Sequence, residues 1–118
     1  MTKQIRIANA AGFWGDNLDA PRLLAESENL DYLTLEYLAE LTMSILAHQK
    51  SKKPDVGYVA DFPLVMESLC DSLTNQPGLR IVTNAGGMNP TACALHVSQI
   101  LSAHQLNDLP VAAVTGDD

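Results

Sequence analysis

Four carboxylates stand where loop chemistry would be expected. Asp16, Glu36, Asp117 and Asp118 each fall within or just after a short apolar run that reads as a β-strand. Carboxylates gathered at strand ends can bind hard divalent cations through oxygen. They can also serve as general acid and base once crowding separates their pKa values. For any one of them alone, capping and solvation is the simpler account. A second group offers backbone donors. Gly86 and Gly87 precede Asn89 and Pro90, a cap residue and a first-turn proline, and a glycine backbone there can approach an anion at the positive end of the helix. A plain turn into a helix explains the pair about as well, because the spacing is neither a Walker loop nor a GxGxxG fingerprint. Trp14, the single tryptophan, lies between Gly12 and Gly15. It can either contact a ligand or fold back with Phe13 as a plug over the sheet end.

Other reactive side chains are set aside. His48, His96 and His104 fall in segments that read as helices, away from strand ends, and are given no catalytic role. Cys70 and Cys93 lack metal-ligand spacing and are expected to be reduced, buried thiols. No serine sits in a nucleophile elbow. These patterns name no catalytic residue, no metal and no cofactor.

The elements that would position these groups alternate. Ile5, Ile7 and Ala8 suggest a first strand, followed by the loop 9–17. Asp19 as cap and Pro21 in the first turn introduce a helix ending near Asn29. Leu30–Leu35 is β-compatible. It leads into a helix with Leu38, Leu41, Ile45 and Leu46 on one stripe. After the polar break 51–57, Phe62, Val65, Met66, Leu69 and Leu73 form the clearest amphipathic stripe in the chain. Leu79–Thr83 is a third strand. Asn89 starts a helix whose buried face is Cys93, Val97, Ile100 and Leu101, and Pro110–Val114 is a fourth strand. Strand and helix in alternation with short links imply an α/β fold, a Rossmann-like three-layer parallel sheet flanked by helices, with about four β-α units. The strands are expected to bury Ile5, Ile7, Leu33, Leu35, Ile81, Val82, Val111 and Val114. The fourth strand has no helix after it, so it is either an edge or the end of an incomplete domain.

Composition narrows the function classes. In 118 residues, 47% are apolar and 18% charged, a globular balance. Fourteen acidic against seven basic side chains give a net charge of −7, which argues against a nucleic-acid partner. An anionic ligand would have to be held by local donors. No run approaches membrane-spanning length and the amino terminus lacks the apolar core of a signal peptide, so cytoplasmic residence without a membrane partner is expected.

Several blocks, in order along nearly the whole chain, resemble the acyclic-terpene-utilisation (AtuA-type) family. They are Ala11-Gly12-Phe13-Trp14-Gly15-Asp16, Leu30-Asp31-Tyr32-Leu33 running into 37–46, Gly57-Tyr58 with Asp61-Phe62, 83–90 and 114–118. The resemblance implies a setting in bacterial breakdown of acyclic isoprenoids such as citronellol and geraniol, through CoA thioesters. It also implies that 1–118 is the amino-terminal part of a larger α/β domain. The expected function is binding of, or action on, an acyl-CoA or carboxylate metabolite. The rival expectation is a non-catalytic subunit facing an acyl-CoA carboxylase or another copy of itself. For the first, the substrate-binding residues are expected to be Gly12, Asp16, Asn84, Gly86, Gly87, Asn89 and Asp117. All lie on loops leaving the carboxyl ends of parallel strands.

Overall fold

The computed structural model describes residues 2–116. Three strands, β1 (Ile7–Asn9), β2 (Tyr32–Leu35) and β3 (Arg80–Thr83), form one parallel sheet in the order β1-β2-β3. Four helices accompany them: α1 (Ala20–Ser27), α2 (Glu40–Lys52), α3 (Asp61–Asn75) and α4 (Pro90–Ala103). The α/β class and the parallel pairing agree with the sequence reading. α1 is the crossover from β1 to β2, and α2 with α3 spans the longer crossover to β3. α3 lies between α1 and α4 and touches both.

The pleat separates two faces. Register pairs Ala8 with Leu33 and Leu33 with Ile81, and Leu35 with Thr83. On this face Leu33 and Leu35 are buried. The stripe anticipated on α3 belongs to the same core: Phe62, Val65, Met66, Leu69 and Leu73 are all buried, as are Cys93, Val97 and Leu101 of α4. Burying a leucine side chain contributes about 1.5–3 kcal/mol, so α3 and the middle strand carry much of the stability. Gln76 joins the end of α3 to α1 by donating to the Ala25 carbonyl at 2.6 Å.

The opposite face, which carries Ile7, Asn9, Tyr32, Thr34, Arg80 and Val82 by the same register, is open. Ile7 is 65% exposed and Val82 55%. The expectation that Ile5, Ile7 and Val82 are buried is therefore corrected. A period-two pattern marks which residues share a face, but burial requires a layer on top, and none of the described helices covers this one. Arg80 instead places its guanidinium 5.8 Å above the Tyr32 ring.

Two further expectations are corrected. Pro110–Val114 pairs with no strand, and Val114 is 93% exposed. Its apolar, β-branched composition suits a strand, but composition does not bring it to either free edge of the sheet, β1 or β3. On α2 only Leu46 is buried, while Leu41 and Ile45 face solvent. This helix stands beside the loop before α4 and buries one leucine there, not a stripe, while Lys50 Nζ donates to the Met88 carbonyl at 2.9 Å. Asp19 also makes no side-chain cap. At α4 the reading holds, because Asn89 accepts from the Ala92 amide and Pro90 opens the helix. Among the described residues, no helix is long and apolar enough to cross a membrane.

Candidate functional site

Because the strands are parallel, the segments after β1, β2 and β3 all leave from one end of the sheet. They are tied together there. The Ala10 amide donates to the Thr34 carbonyl at 2.8 Å, and the Glu36 amide to the Ala11 carbonyl at 3.0 Å, which joins the first loop to the end of β2. Asn84 joins β2 to β3. Its Oδ1 accepts from the Tyr37 amide at 2.9 Å, and its Nδ2 donates to Oε1 of Glu36. The same Glu36 oxygen accepts from the Leu38 amide at 3.0 Å. Thr83 Oγ1 donates to the Leu35 carbonyl at 2.9 Å and accepts from the Ala85 amide.

These bonds frame a shallow cleft of ≈ 390 Å³ bordered by Asn9, Thr34, Leu35, Glu36, Val82, Thr83 and Asn84. The cleft opens at the corner where the strand ends meet the uncovered face. Asn9 donates to the Ala11 carbonyl at 3.1 Å, and Thr34 Oγ1 bonds Asn9 Oδ1 at 2.9 Å. Each amide side chain carries two N–H donors, so Asn9 and Asn84 each keep one beyond these bonds, while the second oxygen of Glu36 keeps its acceptor capacity. The rim thus combines donors, a carboxylate and the apolar flanks of Leu35 and Val82.

The residues singled out from sequence fall into different roles. Asn84 borders the cleft. Asp16 closes its own loop, accepting from the Gly12 amide at 2.9 Å and the Asn17 amide at 2.8 Å. The Gly12 bond first, then that of Asn17, holds its carboxyl below the ordinary range. Gly15 makes this turn with φ 102°. Trp14 leans on the core while Phe13 is 58% exposed, so only one of the two aromatics acts as a plug. Gly86 and Gly87 face packed atoms. A Cβ on Gly86 would lie 2.8 Å from Pro90, and one on Gly87, at φ 53°, would overlap Leu46 Cδ1. Asn89 is almost fully buried, donating to the Pro54 carbonyl at 3.0 Å and the Val56 carbonyl at 2.9 Å. Both of its N–H donors are taken by the protein itself. Asp117 and Asp118 lie outside the described residues.

The sequence reading missed Asn9, Thr34 and Thr83. A usable signal existed. Thr34 alternates with Leu33 and Leu35 and so faces away from the helices, and it lies two residues before Glu36. Beneath the rim, Tyr37 is buried edge-on to Phe62, with ring centroids 6.3 Å apart. Burial first, then the negative charges of Asp61 and Asp16, pushes its phenol up to about 12. No group of three or more His, Cys, Asp or Glu side chains suited to a metal ion occurs among the described residues.

Comparison with known families decides the kinship, since the model of the acyclic terpene utilisation family protein AtuA matches residues 5–118. The chain belongs to the AtuA family. Membership implies a role in acyclic terpene utilisation, and the match runs through every element from β1 to α4, the strand-end cleft included. No curated protein and no solved structure gives a significant match to this AtuA-family chain.

Proposed function

We propose that the strand-end cleft binds the acyl thioester portion of an acyl-CoA metabolite in acyclic terpene utilisation, in the cytoplasm. The observation that carries this reading is the Asn84–Glu36 pair set beside Leu35 and Val82. A thioester carbonyl is a neutral acceptor, and the unused N–H of Asn84 or Asn9 suits it. Leu35 and Val82 offer an apolar surface to the acyl chain. Glu36, with one oxygen free of protein bonds, is positioned to accept a proton from the carbon next to the carbonyl. A free carboxylate fits the cleft less well, because Glu36 would oppose it and no Lys or Arg borders the cleft.

Thermal shift and calorimetric titration with citronellyl-CoA and with citronellate test the proposal. Saturable stabilisation by the thioester, weakened at least about tenfold by Asn84→Ala, a loss of about 1.4 kcal/mol, is the expected result. Equal binding of the free acid, or no response to either, refutes it. The second reading is a non-catalytic subunit, favoured by the uncovered face with Ile7, Tyr32 and Val82. In that case stability depends on protein concentration, or on an added acyl-CoA carboxylase, and not on thioester.

A further inference from the structure

A second recess lies among α2, α4 and the chain entering α3. Its volume is ≈ 130 Å³ and it is lined by Gln49, Val56, Tyr58, Ala60, Pro63 and His96, none of which borders the cleft. Val56, Ala60 and Pro63 supply apolar wall. The polar groups are the Gln49 amide, the Tyr58 hydroxyl and the His96 imidazole. The hydroxyl lies 2.8 Å from His96 Nδ1, and the two rings meet edge to face with centroids 6.1 Å apart.

The backbone around Tyr58 is held by more bonds than a surface connector requires. Gly57 adopts φ 109°, where a Cβ would lie 2.8 Å from Lys50 Cβ, so this close approach to α2 needs glycine. Its carbonyl accepts from the Met88 amide at 3.0 Å, and the Val59 amide donates to the Ala85 carbonyl at 2.8 Å. Asn89 grips the carbonyls of Pro54 and Val56. The segment 54–59 is therefore fixed on both sides of Tyr58, which presents the phenol to His96 without further ordering. Burial first, then Cys93 and Asp55, raises the phenol's pKa. The hydroxyl and Nδ1 share one hydrogen bond, and the tautomer of the ring sets which of them donates.

We propose that this recess binds a small neutral alcohol of about five carbons, its hydroxyl hydrogen-bonded within the Tyr58–His96–Gln49 group. Volume sets the size, since an apolar cavity of about 150 Å³ takes a molecule as large as benzene. Charge sets the class. The lining holds no Lys or Arg, and an unpaired carboxylate loses far more on leaving water than a hydroxyl that finds partners. The hydroxyl has both sides of its chemistry matched, accepting from an amide or imidazole N–H and donating to a lone pair of the phenol oxygen.

The probe is 3-methylbutan-1-ol, titrated into the ¹⁵N-labelled chain with the His96 ring nitrogens and the backbone amides 56–63 followed by NMR. Saturable shifts confined to these nuclei are expected, with Kd on the order of millimolar for so small a ligand. Tyr58→Phe should weaken binding at least about fivefold. Ala60→Leu, at an exposed position, should close the recess and abolish binding while leaving the core untouched. The anion 3-methylbutanoate should bind at least about tenfold more weakly than the alcohol. Shifts that grow linearly without saturating overturn the proposal. So does unchanged affinity in folded Ala60→Leu, or equal binding of the acid and the alcohol.

Discussion

Replacing Asn89 by alanine removes one side chain and three bonds. Two of these, to the carbonyls of Pro54 and Val56, are of good length at 3.0 and 2.9 Å, and the third caps α4 at 3.4 Å. Each good bond contributes about 1 kcal/mol net, and loss of an asparagine cap costs about another 1 kcal/mol. Pro54 is exposed, so water can replace its partner, whereas Val56 is half-buried and its carbonyl loses more. The total is about 2–3 kcal/mol. In a chain of this length that lowers Tm by about 8–12 °C. Urea denaturation followed by circular dichroism measures it, with the midpoint falling and the slope m unchanged. Asn89→Asp separates the two contributions, because a carboxylate still caps Ala92 but can donate to neither carbonyl. Its charge would also face both carbonyl oxygens from a nearly buried position, which outweighs the retained cap, so it should be at least as destabilised as the alanine variant. An Asp variant close to wild type, or an alanine loss below about 0.5 kcal/mol, would refute the view that Asn89 is a structural clasp.

Other outcomes are expected. Leu69, fully buried in the middle of α3, should cost about 2–5 kcal/mol when truncated to alanine, read from the same denaturation curves. The carboxyl of Asp16 has its pKa lowered by the Gly12 and Asn17 amides. A depressed folded pKa gives stability that is present above the unfolded value, about 3.9, and lost as pH falls through the folded one. Urea midpoints taken from pH 5 to pH 2 should therefore fall less steeply for Asp16→Asn than for the parent chain, and identical slopes would contradict the bonding described for that loop.

Some of this is legible in the chain alone. The α3 stripe could be read because five apolar residues at helical spacing leave no other face to bury. Asn89 with Pro90 could be read because cap and first-turn preferences are local. What failed depends on non-local partners. Ile7 and Val82 have the composition of core residues, but the layer that would cover them is a property of the whole sheet, and whether Pro110–Val114 pairs with one of the sheet's two free edges is not written in its own residues. Gly86 and Gly87 illustrate a different limit. Glycine signals close approach without saying to what, and here the neighbours are Pro90 and Leu46. That Asn84 follows a strand is legible in the chain, whereas the register is needed to bring Asn9 and Thr34 beside Glu36.

The clasp between the 54–59 segment and the 85–89 turn has a consequence for sequence length. Surface connections ordinarily absorb an inserted residue with little penalty. Here the carbonyls of Pro54, Val56 and Gly57 and the amide of Val59 are all spoken for by partners some thirty residues away, so one extra residue would shift every donor off its acceptor. The segment works as a ruler, and its span is as constrained as a strand's although it has no strand's regularity. Length changes should be borne by the unpaired stretch 110–116, which positions no side chain for the cleft or the recess.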